Sequence, residues 1–312
     1  MQEKQSDTSL IAILMCTYNG ELHIEEQLDS IQSQNFEFID IWVSDDGSTD
    51  RTLEILHRYK SSWKKGRFVI KNGPQKGYAE NFLSLIISRE IVADYYAFSD
   101  QDDMWKNNKL ARAVSFFDNE KSLPTLYCSR TNYITESGKE LGRLSPVFSE
   151  QASFSNALVQ SLAGGNTMVL NNEAKDLISH AGMQKVISHD WWIYLLISGA
   201  GGEVYYDRTP YINYRLHNGN VIGANSSIRA RVERVESILK GTFRDWNEIH
   251  LRALENCYPL LSPANQSLLD EFIVTRKGTF SQKIKFLKKK AVYRQTRSGK
   301  VALFLALILN KF

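Results

Sequence analysis

Residues 11–19 are IAILMCTYN, residues 39–50 are IDIWVSDDGSTD, and residues 94–103 are DYYAFSDQDD. Each stretch begins with a short apolar run and then changes abruptly to polar and acidic side chains. Amphipathic segments lie between these stretches, and strands that alternate with helices are typical of a parallel sheet covered by helices on both faces. Ligands of such sheets bind beyond the carboxyl ends of the strands, where these polar runs lie.

The same pattern extends along the chain and predicts an α/β fold with a helical extension at the C-terminal end. Strands are predicted at 11–16, 39–43, 67–71 and 94–98, with helices at 22–31, 52–59 and 78–89. The pattern weakens after about residue 120, where we expect strands at 126–129, 167–170, 203–206 and 211–215 and helices at 154–162 and 190–198. From about residue 226 onward every segment has helical character. We therefore predict an α/β domain of residues 1–225 and a helical C-terminal region of residues 226–312.

Composition excludes several classes of protein. The chain has 312 residues, 43% of them hydrophobic, and 38 Lys or Arg against 35 Asp or Glu, which are ordinary values for a globular protein. The three cysteines, Cys16, Cys128 and Cys257, are far apart and form no CxxC motif, so we expect neither a disulfide framework nor a zinc site. The first ten residues, MQEKQSDTSL, do not resemble a secretory signal, and no apolar run approaches the ~20 residues that span a bilayer. These features predict a cytoplasmic protein.

Five carboxylates are expected to converge on one edge of the sheet: Asp45, Asp46, Asp100, Asp102 and Asp103. Two carboxylates separated by one residue can share Mg²⁺ or Mn²⁺, which proteins usually hold with one or two carboxylates plus substrate phosphates. The alternative is that the second group caps a helix beginning near Trp105. Like charges seldom gather without a cation or donors, so the convergence favours a metal–phosphate site.

The run DDGSTD after the second strand also has two interpretations. Gly47 could supply a turn while Ser48 or Asp50 caps the next helix. An aspartate of the same run could accept hydrogen bonds from a base or a ribose, and the two interpretations are compatible. Neither a P-loop nor a GxGxxG motif follows the first strand, which argues against P-loop NTPases and dinucleotide dehydrogenases.

Taken in order, CTYNG (16–20), SDDGSTD (44–50) and SDQDD (99–103) resemble the inverting GT-A glycosyltransferases of family 2 over about residues 10–220. The form SDQDDxW, with HDWW at 189–192 and YRLHN at 214–218, is most similar to bacterial rhamnosyltransferases of that family. The resemblance implies a Rossmann-like, mostly parallel sheet flanked by helices. It also implies transfer of a sugar, with L-rhamnose from dTDP-L-rhamnose preferred, to a glycan acceptor in O-antigen or cell-wall polysaccharide synthesis.

The resemblance further implies roles for individual residues. Asp190 would be the catalytic base, and Trp191 would stack on the acceptor sugar. Asp102 would be the main ligand of Mg²⁺ or Mn²⁺, shared with Asp100 and, in some relatives, with a histidine at the position of His217. The residues that would bind the nucleotide sugar are Thr17, Tyr18, Asn19, Asp45, Asp46, Asn81, Asp100, Gln101 and Asp103.

Structural alternatives exist for several of these residues. The segment HDWW could be a helix start with two core tryptophans, and we expect Trp192 to be one. His217 could be structural, Asn81 could belong to a solvated helix start, and Arg215 is a candidate for phosphate contact. The run 164–166, GGN, either brings the chain close to the acceptor or forms a plain tight turn.

Other activities remain to be weighed. A UDP-hexose or UDP-N-acetylhexosamine transferase of the same family is the nearest alternative, and a catalytically inactive glycan-binding relative is another. A nucleotidyltransferase would need a glycine-rich, basic loop where this chain has TYNGE. The QxxRW motif of processive synthases is absent, which favours addition of one or a few sugars.

The last 37 residues have an unusual charge. Residues 276–312 contain 11 Lys or Arg and no Asp or Glu, so residues 1–275 keep 27 basic residues against all 35 acidic ones. The run 301–309, VALFLALIL, is apolar but too short to span a membrane. This pattern predicts a peripheral anchor on the anionic inner face of the cell membrane, where a polyprenyl-diphosphate-linked acceptor would lie. The alternative is a helix packed on the protein. If the tail is an anchor, we expect a chain ended near residue 275 to fold and to lose only its membrane binding. No motif for nucleic-acid binding accompanies the charge.

Overall fold

The computed structural model describes residues 9–117, 122–162, 164–216, 241–309 and 311. The strands are β1 (Leu10–Thr17), β2 (Phe38–Asp45), β3 (Phe68–Asn72), β4 (Tyr95–Ser99), β5 (Met104–Trp105), β6 (Thr125–Ile134), β7 (Glu140–Leu144), β8 (Val169–Asn171) and β9 (Glu203–Arg215). The helices are α1 (Ile24–Gln32), α2 (Thr52–Ser62), α3 (Tyr78–Ile86), α4 (Lys109–Val114), α5 (Phe154–Ala157), α6 (Asn172–Ala181), α7 (His189–Gly199), α8 (Thr242–Asn256), α9 (Pro263–Lys277), α10 (Phe280–Lys288) and α11 (Arg297–Ile308). Short 3₁₀ turns lie at Gly165–Thr167 and Tyr258–Leu260.

The described strands form one sheet in the order β3-β2-β1-β4-β8-β6-β9-β5, with β7 paired to β6. The first four strands of this order are parallel to one another. β8 then runs antiparallel between β4 and β6, and β9 is parallel to β6. Six of the nine strands therefore run in one direction, which confirms the predicted α/β class with a mostly parallel sheet.

The apolar run at the start of the chain reflects burial on both faces of the sheet. Along β1, Ala12 and Leu14 point into one hydrophobic cluster, which α3, α5, α6 and α7 cover. The alternate residues Ile11 and Ile13 point into a second cluster, beneath α1, α2 and α4. Because successive side chains of a strand point to opposite faces, a central strand buried on both sides must be continuously apolar.

The second half of the sheet differs from the prediction in particular elements. The helix expected near Trp105 begins at Lys109, because residues 104–105 form β5 and pair with β9. The strands expected at 203–206 and 211–215 are one long strand, whose register with β6 shifts between Ser129 and Thr131. β7 was not predicted, since all five of its side chains are exposed and its sequence has no apolar alternation.

The C-terminal helices α8–α11 pack on the rest of the molecule. The described part of the region, 241–309, is helical as predicted, whereas the proposed boundary at residue 225 lies outside the described residues. Leu254, Phe272, Phe286 and Leu303 are buried in the same cluster as β1 residues. In the described part of the chain, no helix has the length and apolar character needed to cross a membrane. The expectation that a chain ended near residue 275 would still fold is not supported, because it would lose several core side chains.

We predict that Leu303→Ala and Leu305→Ala have very different effects on stability. Leu303 is buried in the core cluster, whereas Leu305 of the same helix is 38% exposed. Leu303→Ala should lower the free energy of unfolding by about 2–5 kcal/mol because it leaves a cavity. Leu305→Ala should change it by less than about 0.5 kcal/mol. Urea unfolding of both variants measures the difference, and equal effects would mean that α11 does not pack as described.

Candidate active site

The loops that follow β1 and β4 are joined by one side chain, Gln101. Its Oε1 accepts a hydrogen bond from the Tyr18 backbone N–H at 2.9 Å, and its Nε2 donates to the Tyr18 carbonyl at 3.0 Å. A Cβ atom at Gly20 would collide with the same amide, so a side chain there would displace Gln101 from its present position. Gln101 was predicted to bind the nucleotide sugar, and the structure shows that both ends of its amide hold the Tyr18 backbone.

The loop after β2 is joined to the same region through Asn19. This residue has a φ of 48°, a left-handed conformation that asparagine tolerates better than most residues. Its backbone N–H donates to Ser48 Oγ at 2.9 Å, and its Oδ1 accepts from the Thr49 N–H at 2.8 Å. The TYNG and DDGSTD runs thus form one hydrogen-bonded unit.

Three of the residues predicted to contact the nucleotide are buried and engaged with the protein. Asp45 accepts hydrogen bonds from Thr17 Oγ1 at 2.8 Å and from Ser48 Oγ at 2.6 Å, and both Asp45 and Thr17 are buried. Asn81 is also buried, and its side chain exchanges two hydrogen bonds with Ser44. These three side chains therefore hold the neighbouring backbone and side chains of the site in place.

Two others lie where a ligand could reach them. Tyr18 is 58% exposed, and its backbone is the part that Gln101 holds. Asp46 is half-buried and accepts from the backbone N–H groups of Gln75 at 2.6 Å and Gly77 at 2.9 Å. Asp46 therefore positions the loop after β3 at the same edge of the sheet.

Carboxylates from two distant segments meet at the end of β4. Burial, followed by the charges of Asp103, Asp102 and Asp190, raises the pKa of Asp100 well above its usual range. Tyr78 of α3 packs edge-on to His189, next to Asp190, and burial followed by the charges of Asp190 and Asp100 raises its pKa. The structure thus brings Asp190, at the start of α7, to the carboxylates that follow β4.

Asp190 is held at one of its two oxygens. Its Oδ1 accepts hydrogen bonds from Ser188 Oγ and, at 2.7 Å, from the Trp191 backbone N–H. Its Oδ2 makes no hydrogen bond within the described residues, and the side chain is half-buried. An oriented carboxylate with one open oxygen can accept a proton from a bound hydroxyl group.

The start of α7 is fixed by His189. Its ring stacks on Phe82 at a centroid distance of 4.1 Å, and burial lowers its pKa to about 4, so it is neutral at pH 7. A Cβ atom at Gly165 would collide with its Nε2. The GGN run therefore includes a close approach to this ring and forms a 3₁₀ turn, in line with the tight-turn interpretation.

The two tryptophans after Asp190 are both buried. Trp192 lies in the core, as expected, and Trp191 is 6% exposed. The indole N–H of Trp191 donates to the Ala157 carbonyl at 2.7 Å, and its ring packs edge-on to His250. This packing does not support the predicted stacking of Trp191 on an acceptor sugar.

Arg215 and Asp103 are buried next to Asp102 and hydrogen-bond to each other. The buried guanidinium of Arg215 donates to the Asp102 carbonyl at 2.9 Å and pairs with Glu26 at 2.5 Å, so its contact with a phosphate is not supported. The fully buried Asp103 accepts from Asn166 Nδ2 and from the Arg215 N–H, and burial together with Asp102 raises its pKa to about 7. His217 lies outside the described residues.

The sequence reasoning missed Lys109, which is buried near Asp103. Its Nζ lies 3.4 Å from the centre of the Trp105 ring, and burial lowers its pKa to about 7 against the opposing charge of Asp103. No sequence signal marks it, because a lysine at a helix start is ordinarily exposed.

The donor set fits a hard divalent cation. Asp100 and Asp102 supply half-buried carboxylates, and the like charges that raise the pKa of Asp100 would be offset by a cation. Among the described residues, no three His, Cys, Asp or Glu side chains are grouped to hold a metal ion. Mg²⁺ and Mn²⁺ need only one or two carboxylates when substrate phosphates complete the coordination.

Comparisons with known proteins identify the family of the chain. A model of glycosyl transferase family 2 matches residues 12–169. The chain belongs to glycosyl transferase family 2, its fold is of the GT-A type, and the predicted resemblance to bacterial rhamnosyltransferases is confirmed.

Two relatives illustrate the range of the family. The chain is 31% identical over 309 residues to the dTDP-rhamnosyl transferase RfbG of Shigella flexneri, covering 96% of this chain and 100% of the relative. It is 28% identical over 216 residues to the UDP-Glc:alpha-D-GlcNAc-diphosphoundecaprenol beta-1,3-glucosyltransferase WfaP of Escherichia coli, covering 68% and 79%.

Solved structures share the fold. TarS 1–349 of S. aureus in complex with UDP-GlcNAc has a TM-score of 0.56 at 17% identity, with 95% of this chain and 79% of that one covered. The mannosyltransferase PcManGT of Pyrobaculum calidifontis, in complex with GDP-Man and Mn²⁺, has a TM-score of 0.51 at 16% identity, with 97% and 86% covered. At such identities the likeness establishes the fold.

We predict that Gln101→Leu weakens the site by releasing the Tyr18 backbone. The variant keeps the size of the side chain but removes both hydrogen bonds, so the free energy of unfolding should fall by about 1–3 kcal/mol. Nucleotide affinity should fall as well, because the Tyr18 loop is no longer held. The matched control is Gln32→Leu, at an exposed position of α1. Urea unfolding and nucleotide titration measure both effects, and identical behaviour of the two variants would contradict the role of Gln101.

Proposed function

We propose that this family 2 glycosyltransferase transfers L-rhamnose from dTDP-L-rhamnose, with inversion, to a glycan acceptor of bacterial surface polysaccharide. The observation that supports the transferase chemistry is that Asp190, with one oxygen held by Ser188 and the Trp191 N–H, lies near Asp100 at one edge of the sheet. The choice of rhamnose is supported by the RfbG relative, which aligns over its whole length. We further propose that the acceptor is linked to a polyprenyl diphosphate at the inner face of the cell membrane.

The residues divide into a donor side and an acceptor side. On the donor side, Tyr18 and Asp46 border the space for the nucleotide, and Asp102 with Asp100 would hold Mg²⁺ or Mn²⁺ near the diphosphate. When bound, the cation would neutralise the charge of the leaving diphosphate. The buried Asp103 and Arg215 hold the backbone that carries Asp102.

On the acceptor side, Asp190 acts as the general base. Its Oδ2 takes the proton of the acceptor hydroxyl while that oxygen forms a bond to the anomeric carbon of the donor. The bond from the anomeric carbon to the diphosphate oxygen breaks on the opposite side, so the configuration inverts. Ser188 and the Trp191 N–H keep Oδ1 occupied and so orient Oδ2.

A UDP-hexose or UDP-N-acetylhexosamine is the second candidate donor. It is favoured by the name of WfaP, a UDP-glucose-dependent relative. The carboxylates at positions 100, 102 and 190 argue against an inactive glycan-binding protein.

A panel of donors tests the proposed function. With Mg²⁺ or Mn²⁺ present, dTDP-L-rhamnose should raise the melting temperature more than UDP-glucose or UDP-N-acetylglucosamine at the same concentration, because the donor that binds more tightly stabilises the folded protein more. A ligand at 100 times its Kd stabilises by about 2.7 kcal/mol. Asp102→Asn should lose the part of this shift that depends on the metal. A larger shift with a UDP-sugar would select the second candidate. Glycan binding without donor binding or hydrolysis would reject transfer altogether.

We predict that Asp190→Asn stops turnover without preventing donor binding. The amide keeps the shape of the side chain but cannot accept the proton, so kcat should fall ~10²–10⁴-fold. The melting-temperature shift with donor should be nearly unchanged. Asp176→Asn, on the exposed side of α6, is the control for loss of a carboxylate. If Asp190→Asn retains activity within a few-fold of the control, another group is the base.

A further inference from the structure

Helix α11 is apolar on two opposite sides. One side carries the buried residues Leu303, Ala306 and Leu307, which belong to the core cluster. The other side carries four side chains that are 38–59% exposed: Val301, Phe304, Leu305 and Leu309. Their spacing places them on one face, because residues at i, i+3, i+4 and i+8 lie together on a helix. We call these four residues the outer face of α11.

The helices around the outer face are basic. Residues 276–312 contain 11 Lys or Arg and no acidic residue. Three of these basic side chains pair with acidic residues of earlier elements, in the ion pairs Arg276–Glu248, Lys289–Glu271 and Lys300–Glu150. Five others are exposed and form no ion pair with any described residue: Lys277, Lys285, Lys288, Lys290 and Arg297. This part of the surface therefore keeps an unbalanced positive charge.

Helix α10, which packs beside α11, has a side that faces a shallow depression open to solvent. Its lining consists of Ser281, Ile284, Lys285, Lys288 and Lys289. Ammonium groups and a hydroxyl beside an apolar side chain match the chemistry of a phospholipid headgroup, which has a phosphate next to acyl chains. This side of α10 and the outer face of α11 thus supply the polar and apolar halves of one kind of contact.

We propose that the outer face of α11 and the lysines of α10 dock this protein onto an anionic phospholipid bilayer. A helix of 12 residues is about 18 Å long, which is too short to span the ~30 Å hydrocarbon core but suits insertion parallel to the surface. Helices that lie in the interface combine an apolar face with lysine and arginine, and anionic lipid attracts the charged side chains. The buried face of α11 simultaneously fixes the helix to the catalytic part of the molecule.

A second copy of the chain fits this surface less well. A two-fold dimer brings the same patch of both subunits together. The unpaired lysines of one copy would then face those of the other, and like charges repel. A negatively charged lipid surface complements the same lysines.

Co-sedimentation of the full chain with vesicles tests the proposal. The protein should pellet with phosphatidylglycerol/phosphatidylcholine vesicles at low salt and much less with phosphatidylcholine alone. Binding should weaken as salt increases, with a residual part due to the outer face. Lys285→Gln/Lys288→Gln/Lys290→Gln should lower the partition coefficient roughly 100-fold at low salt. Lys60→Gln/Lys64→Gln/Lys185→Gln, with the same loss of charge at other exposed positions, should bind like the wild type.

A second pair of variants tests the apolar half. Phe304→Ser/Leu305→Ser should remove the salt-resistant part of binding, whereas Val92→Ser, at another exposed apolar position, should not. Because these side chains are exposed, the melting temperature should change little, which distinguishes lost docking from misfolding. Sedimentation velocity supplies the competing outcome. Two results would overturn the proposal. One is that the wild type is absent from the low-salt pellet. The other is that the wild type forms a dimer and does not bind vesicles, and that Phe304→Ser/Leu305→Ser abolishes this dimer. Neither result depends on the identity of the sugar donor.

Discussion

Four carboxylates, Asp100, Asp102, Asp103 and Asp190, lie close together at the carboxyl edge of the sheet, and their mutual repulsion constrains everything around them. The surrounding protein supplies hydrogen-bond donors to Asp103 and Asp190, yet the pKa of Asp100 stays raised by burial and by its neighbours. A bound divalent cation would relieve this repulsion and would also attract the diphosphate of the donor. Carboxylates gathered in this way, with a strongly shifted pKa, are common at catalytic sites.

The neighbouring loops are joined by hydrogen bonds. Gln101 holds the Tyr18 backbone, and Asp45 and Asn19 join the loops after β1 and β2. Most of the polar residues of the motifs are therefore occupied within the protein, and few are left to contact a ligand directly. This arrangement fixes the positions of the few open groups, since a site works only if its first contacts are held by a second set of bonds.

The C-terminal helices have two relations to the rest of the molecule. Their inner faces complete the hydrophobic cluster that also contains residues of β1 and α7, so the folding of the catalytic part and of the extension is coupled. Their outer surface retains positive charge and exposed apolar side chains. The same segment was predicted from sequence as either an anchor or a packed helix. The structure shows the packed helix on the inner side, and the anchor remains our proposal for the outer side.

The sequence by itself determined the class of fold and the edge of the sheet where the site lies. Apolar runs that end in polar motifs are local signals, and parallel strands place their carboxyl ends together without any further information. The tertiary structure decided which motif side chains are buried and hydrogen-bonded within the protein and which are accessible to solvent. Gln101 and Asn81 have the same polar character as a ligand-binding residue, and only the position of Tyr18 or Ser44 beside them shows that their hydrogen bonds are already used. It also decided that Arg215 and Lys109 are buried. Arg215 meets the backbone of Asp102, more than a hundred residues away in sequence, and Lys109 lies over the ring of Trp105 on the preceding strand. Nothing in the local sequence around a charged side chain indicates such a partner.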